Sequence, residues 1–255
     1  MAIFIDVVRS EWIKLRSLRS TYWSLVVAAV AMVGLGALFS SRYDHFGPTE
    51  RASINPASFS LSGFFMAQLA IGVVGVLIIT NEYSTGSIRS TLAAVPQRRT
   101  VLGAKAVVLT AVVAVVAIPS SFGAFFAGQA ILAGKTTQAH LSDPGALRAV
   151  VGAGLYLSAL ALGALALGAI IRRTAGAIAT LAGLVFVLPG LVGALPSSWQ
   201  NVTRFLPASA GQAIIGHSRF ATTHVLTPWT GFGVFCAYVV VAVVVATFTL
   251  NRRDA

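Results

Sequence analysis

Six apolar runs, each near the ~20 residues a helix needs to cross a bilayer, constrain everything else about this chain. They occupy about 22–40, 59–80, 101–132, 147–171, 175–195 and 229–250. The 255 residues are 56% hydrophobic and only 10% charged, and mean hydropathy is +0.84. A soluble domain carries ~25% charged residues, so too few polar groups remain here to cover a water-facing surface. An all-α integral membrane protein with six transmembrane helices follows. The 24 glycines suit packed spans, where small residues let backbones approach. The third run is long and holds Pro119, which predicts a kink or tilt. Only Arg172, Arg173 and Thr174 separate the fourth and fifth runs, which makes those two antiparallel neighbours.

Before the first run, residues 3–20 read as an amphipathic helix. Phe4, Val8, Trp12, Leu15 and Leu18 recur at three- and four-residue spacing, with Asp6, Arg9, Arg16 and Arg19 mostly elsewhere on the wheel. Such a helix lies in the membrane interface, and Tyr22 and Trp23 mark the headgroup level. No uninterrupted apolar core with a small-residue cleavage site predicts a signal peptide there. The net charge of +11 raises the question of nucleic acid. Its basic residues, however, sit in short clusters beside apolar runs, which points to anionic headgroups and topology control. With both termini on one side, that side holds Arg9, Lys14, Arg16, Arg19, Arg89, Arg98, Arg99, Lys105, Arg172, Arg173, Arg252 and Arg253. The other holds Arg42, Arg51, Lys135, Arg148, Arg204 and Arg219. Twelve against six predicts that both termini are cytoplasmic. Residues 1–255 read as a single membrane domain, and the lone cysteine, Cys236, excludes an intrachain disulfide.

Residues 81–105, NEYSTGSIRSTLAAVPQRRTVLGAK, form a polar, basic interruption between the second and third runs. Glu82, Arg89, Arg98, Arg99 and Lys105 cannot lie cheaply in hydrocarbon, where each charge costs roughly 2.5–3.5 kcal/mol near the centre. Gly86 weakens a long helix and Pro96 ends one. The expectation is a short helix and turn held at the cytoplasmic surface, with Ile88 and Leu92 one turn apart on a face that meets a soluble partner. Lys105, a turn inside the third span, is expected to snorkel to the cytoplasm. The segment 196–228 is the longest outer loop; its interspersed Trp199, Phe205, Leu206, Ile214, Ile215 and Phe220 predict that it folds back on the membrane or re-enters partway.

Catalytic and metal chemistry is not predicted. GQAILAGKT at 128–136 has part of a phosphate-loop pattern but lacks the required glycine at Gln129, and it follows an apolar helix. His45, His140, His217 and His224 are scattered without metal-ligand spacing, and no catalytic triad suggests itself. Asn201-Val202-Thr203 fits a glycosylation sequon by chance. No Asp or Glu sits mid-membrane, which counts against an ion-coupled secondary transporter. The small-residue pairs Gly72/Gly75, Ala164/Gly168 and Gly190/Gly193 are candidate helix contacts, none singled out. Phe64, Phe65 and Gln68 on the second span and Phe122, Phe125 and Phe126 on the third are candidate substrate-path residues, with ordinary packing the competing reading.

At 81–105 the sequence resembles the permease subunits of ABC-2 type transporters. In that family the second span ends in a Glu, a Gly-Thr or Gly-Ser pair opens a short cytoplasmic coupling helix, and a Pro and a basic residue precede the third span. Glu82, Tyr83, Gly86, Ser87, the stretch 88–93 with Ile88, Arg89 and Leu92, then Pro96 and Arg98 match those elements. Ser87 replaces the commoner Thr. SEWIKLRSLRSTYW at 10–23, with Glu11, Trp12, Lys14 and Arg16, is similar to the interfacial elbow helix of actinobacterial members. LPASAGQAI at 206–214 is similar to their last outer loop. The resemblance implies an elbow helix over 1–21, a coupling-helix region over 81–100, and a half-transporter without ATPase chemistry of its own. It further implies a plasma-membrane permease pairing with a second permease and docking two copies of a separate ATP-binding subunit, which supplies the ATP and Mg. The implied cargo is amphipathic or hydrophobic: a drug, antibiotic, peptide or lipid. Glu82 is expected to lie near a helix N-terminus, stabilised by its dipole, or to pair with a basic residue of the ATPase. The alternatives are a stand-alone secondary transporter or channel and a non-transporting membrane scaffold or sensor subunit.

Overall fold

A computed structural model describes residues 2–17, 19–193, 200–216 and 226–252. Leu18, Trp199, His217, Arg219, Phe220, His224, Arg253, the far end of the fifth run and much of the 196–228 loop lie outside those residues, as does the Asn201 side chain. Among the described residues there are helices and no strands. Helix α1 (Ala2–Ser17) is followed by α2 (Arg19–Ser41), then by the short α3 (Pro48–Ser53) and α4 (Pro56–Ser60). Then come α5 (Phe64–Ser84), α6 (Ser87–Ala94), α7 (Arg98–Leu132) and α8 (Ala146–Ile171). The chain continues through α9 (Thr174–Ala182), a π-helical turn (Gly183–Val187) and α10 (Leu188–Gly193). It ends with α11 (Gln200–Thr203), α12 (Pro207–Gln212) and α13 (Pro228–Arg252).

Among the described residues, six helical stretches are long and apolar enough to cross a membrane: Arg19–Ser41, Phe64–Ser84, Arg98–Leu132, Ala146–Ile171, Thr174–Val192 and Pro228–Arg252. The second begins five residues later than the hydropathy run suggests. Pro56 sits in the first turn of α4, and Asn55 Oδ1 accepts from the Ser58 N–H at 3.2 Å. This start signal turns the beginning of the apolar run into a separate short helix. At 35 residues, α7 is about 52 Å long at 1.5 Å per residue. It outruns the ~30 Å hydrocarbon and runs unbroken through Pro119, with the Val116 and Ile118 carbonyls taken by the Ser120 and Ser121 hydroxyls.

Helices α5 and α8 form the centre, with 56% and 61% of their spans buried, against 22% to 28% for α2, the fifth span and α13. Their approach is set by small residues. A Cβ on Gly75 would lie 2.5 Å from the Ala161 carbonyl oxygen and 2.9 Å from Ala164 Cβ, and Gly168 abuts Ile79. Of the small-residue pairs seen in the sequence, Gly75 of one therefore meets Ala164 of another, while Gly72 faces Leu181 and Gly190 faces open space. Ala208 to Ile215, after Pro207, is largely buried and packs on α8 and α13.

At the end of the bundle away from α6 the buried ties are neutral, and the Lys135–Asp44 ion pair there is exposed. Gln129 Nε2 donates to the Pro56 carbonyl at 3.0 Å and to Ser60 Oγ at 2.8 Å, while its Oε1 accepts from the Ala139 N–H at 2.7 Å. Ser58 Oγ donates to the Ile215 carbonyl at 2.9 Å. Lys135 pairs with Asp44 at 2.8 Å. The partial phosphate-loop stretch thus spends Gln129 and Lys135 on joining helices.

Candidate functional site

The turn between α5 and α6 depends on Gly86, whose φ of +73° lies in the left-handed region where a side chain is strained. This reversal folds α6 back beside α1. Val95 and Pro96 then end it, and α7 starts at Arg98. Three helix termini and an interfacial helix are thereby gathered at one end of the bundle.

Four charged side chains converge there. Lys105 Nζ donates to Glu11 Oε2 at 2.6 Å and to Glu82 Oε1 at 2.6 Å. Lys14 Nζ donates to Glu11 Oε1 at 2.8 Å, to Glu82 Oε1 at 3.2 Å and to Thr91 Oγ1 at 3.3 Å. The Lys105 side chain is 2% exposed, Glu11 6%, Glu82 13% and Lys14 41%. One knot of two acids and two bases thus joins α1, the last turn of α5, α6 and α7, and its formal charges cancel. Burial alone pulls Lys14 down, but the hydrogen bond and charge of Glu11, reinforced by Glu82, outweigh it and hold its pKa above the ordinary lysine value.

One expectation about these charges is corrected. Lys105 does not snorkel, because an ammonium this buried is held by carboxylates 94 and 23 residues away in the chain. Glu82 lies in the last turn of α5, whose own dipole works against it, and shares a cleft with Ser87, Ser90 and Thr91 of α6; the two lysines supply the compensating charge. Its Oε2 is buried without a hydrogen-bond partner. The cleft that Glu82 lines has a volume of about 330 Å³ and is also lined by Lys14, Lys105 and the hydroxyl residues Ser17, Thr85, Ser87, Ser90 and Thr91.

The other residues singled out in the sequence divide by exposure. Ile88 is 4% exposed and Leu92 half-buried, so they seat α6 on the body and do not face outward. Ser87, Arg89, Ser90, Ala93, Ala94 and Pro96 are exposed. Tyr83 is half-buried with the Arg172 guanidinium 5.1 Å over its ring. Arg98 Nη1 donates to the Leu250 carbonyl at 2.5 Å, linking the start of α7 to the last turn of α13. On α1, Val7 and Glu11 turn inward while Phe4, Trp12 and Arg16 are exposed, which leaves the Phe4–Trp12 stripe free for lipid. Phe64 and Phe125 are buried, Phe122 half-buried and Phe126 exposed. Phe65 and Gln68 line a recess between α5, the π-helical turn and α12 that none of the three α7 phenylalanines reaches.

Sequence reasoning missed Thr91 and Arg172. Neither has a signal readable without knowing that α1 reaches α6 or that the α8–α9 turn reaches Tyr83. Among the described residues, no three of His, Cys, Asp and Glu gather as a metal site would require. A comparison with curated proteins finds no match. The sequence profile of the family described as ABC-2 family transporter protein matches residues 7–190, which spans most of α1, the charged knot, α6 and the helices into the first half of α10. With six described helices long and apolar enough to cross a membrane and this match over most of its length, the chain belongs to the ABC-2 transporter family and is a membrane permease component.

Proposed function

We propose that the chain is the membrane-spanning half of an ATP-driven exporter. It sits in the plasma membrane with both termini cytoplasmic, and works with a second permease and two soluble ATP-binding subunits that carry the ATP and Mg. The observation that carries this reading is the buried four-charge knot. Breaking a buried ion pair costs about 3–5 kcal/mol, which ties α1, α5 and α7 through Glu11, Glu82 and Lys105. Helix α6 joins that block through buried Ile88 and the hydrogen bond that Thr91 accepts from Lys14, so the four helices move together when α6 is pushed. A domain motion applied to the exposed face of α6 then reaches two membrane spans without being absorbed in a loose surface loop. The docking face is Ser87, Arg89, Ser90, Ala93 and Pro96, exposed beside the cleft. Glu82 Oε2, a carboxylate oxygen still lacking a donor, accepts from a basic side chain of the ATP-binding subunit. The cargo is a hydrophobic or amphipathic molecule, in keeping with a bundle whose central helices are apolar and whose buried lysine is fully paired.

The test is co-purification and ATP hydrolysis in lipid vesicles, with the chain and a soluble ATP-binding subunit separately and together. Hydrolysis responding to the chain, and both binding and response lost in Ala93→Arg, support the reading. An ATP-binding subunit that binds wild type and Ala93→Arg equally places docking elsewhere. If none binds at any ratio, the exporter reading is wrong.

A further inference from the structure

In the half of the bundle away from α6, α5 carries a buried amide with one end unused. Gln68 is 1% exposed; its Oε1 accepts from the Tyr156 hydroxyl at 2.8 Å and lies 3.5 Å from Gln212 Nε2. Its Nε2 is buried without a hydrogen-bond partner. A buried donor left unsatisfied costs about 1–3 kcal/mol, and hydrocarbon offers no water to relieve it. The same residue lines a recess of about 140 Å³, walled by Phe65, Phe186 and Pro189 and carrying two further polar side chains, Ser209 and Gln212. One wall is the π-helical turn Gly183–Val187, an irregularity frequent at functional sites.

From these features we infer a binding site for a neutral amphiphile: one ring-sized apolar group carrying a hydrogen-bond acceptor that meets Gln68 Nε2. The size argument rests on a dry apolar cavity of ~150 Å³ being enough for benzene. The charge argument is that none of the nine lining residues is ionisable, so a charged ligand entering here would be desolvated without a counter-charge. The polarity argument is the amide itself, since a ligand lacking an acceptor leaves the donor as orphaned as before. Calling the occupant a cargo rests on the exporter reading; its binding does not.

Photolabelling of the full chain in nanodiscs with 4-azidoacetophenone, an aromatic ketone, tests this, with adducts located by mass spectrometry. Labels are expected at the recess walls. Unlabelled acetophenone should compete about three- to tenfold better than ethylbenzene at equal membrane concentration, the range for one hydrogen bond to a buried amide. Gln68→Leu should remove that preference, and Ser209→Phe, which fills the recess, should lower labelling several-fold. Labels spread evenly along the spans, equal competition by the two compounds in wild type, or a preference that survives Gln68→Leu would each overturn the proposal. The wild-type competition decides even where a variant does not fold. No ATP-binding subunit is in the assay, so its failure leaves docking at α6 standing, and failed docking leaves this site standing.

Discussion

The two ends of this bundle solve the same problem, holding helices together across sequence-distant contacts, with opposite chemistry. At the α6 end, two glutamates and two lysines interlock, with Lys105 at 2% exposure between Glu11 and Glu82. At the other end, one neutral amide, Gln129, gathers α4, α7 and the segment before α8 through three hydrogen bonds. A neutral hydrogen bond contributes about 1 kcal/mol net, whereas removing one partner of a buried ion pair strands a charge. The chain has only seven acidic residues, and two of them meet in this knot. An ionic knot resists bending and fails abruptly, which suits a block that must carry a push. The neutral tie is cheaper to break and suits an end where helices only need to stay together.

The largest effect expected on this comparison is from Lys105→Met, which removes the buried one of the two lysines that bridge Glu11 and Glu82 and leaves only the half-exposed Lys14 between them. It should destabilise by about 3–5 kcal/mol, read as a lowered thermal midpoint in detergent, and adding Glu11→Gln should recover part of the loss. Gln129→Leu comes next, at about 1–3 kcal/mol, because the Ala139 N–H loses its partner while the Pro56 carbonyl keeps only the Ser60 hydroxyl among side-chain donors. Gly75→Val should cost a similar ~1–3 kcal/mol by overpacking, since a Cβ there meets the Ala161 carbonyl. Lys14→Met should cost no more than ~1 kcal/mol, because this lysine is 41% exposed and solvent screens it. Its folded-state pKa is raised, so its contribution is complete below the ordinary lysine value and is lost only as pH rises through the raised one. The difference between wild type and Lys14→Met should therefore be flat from pH 6 to 9. The smallest effect belongs to Asp44→Asn. The Lys135 hydrogen bond holds the exposed Asp44 carboxyl below its ordinary value, so any contribution exists above the ordinary carboxylate range and vanishes as pH falls through the lowered one. At neutral pH a melting curve should not register the substitution.

What the sequence told was the part governed by one-dimensional hydropathy. Six apolar runs gave six membrane-length helices because a span must be continuous in sequence. The break at 81–105 was equally visible, since Gly86 and Pro96 act locally. What could not be read was orientation about a helix axis and pairing at distance. Ile88 was expected to face a partner and instead seats α6, because hydrophobicity alone does not say whether a face meets a second protein or the chain's own body. Glu11, Lys14, Glu82 and Lys105 were each visible as charges near the membrane surface, yet their convergence needed the fold-back at Gly86. A clue did exist: a lysine placed one turn inside a span demands a counter-charge, and few acids were available to supply it. The start of α5 was missed for a different reason. Pro48 and Pro56 open short helices inside what hydropathy reads as the approach to, and the beginning of, a span.

The measurement that tests the central claim most directly is the distance between spin labels on α6 and its neighbours while the assembled complex binds ATP. In a background with Cys236 replaced by Ser, labels at exposed Arg89 and Trp12 report α6 against α1. Labels at Arg89 and Val107, the latter 51% exposed, report α6 against α7. If the charged knot makes these helices one block, both distance distributions stay fixed between the nucleotide-free and ATP-bound states, and both broaden in Lys105→Met. If ATP shifts either distance by several ångströms in the wild-type chain, α6 moves on its own and the knot does not transmit the push.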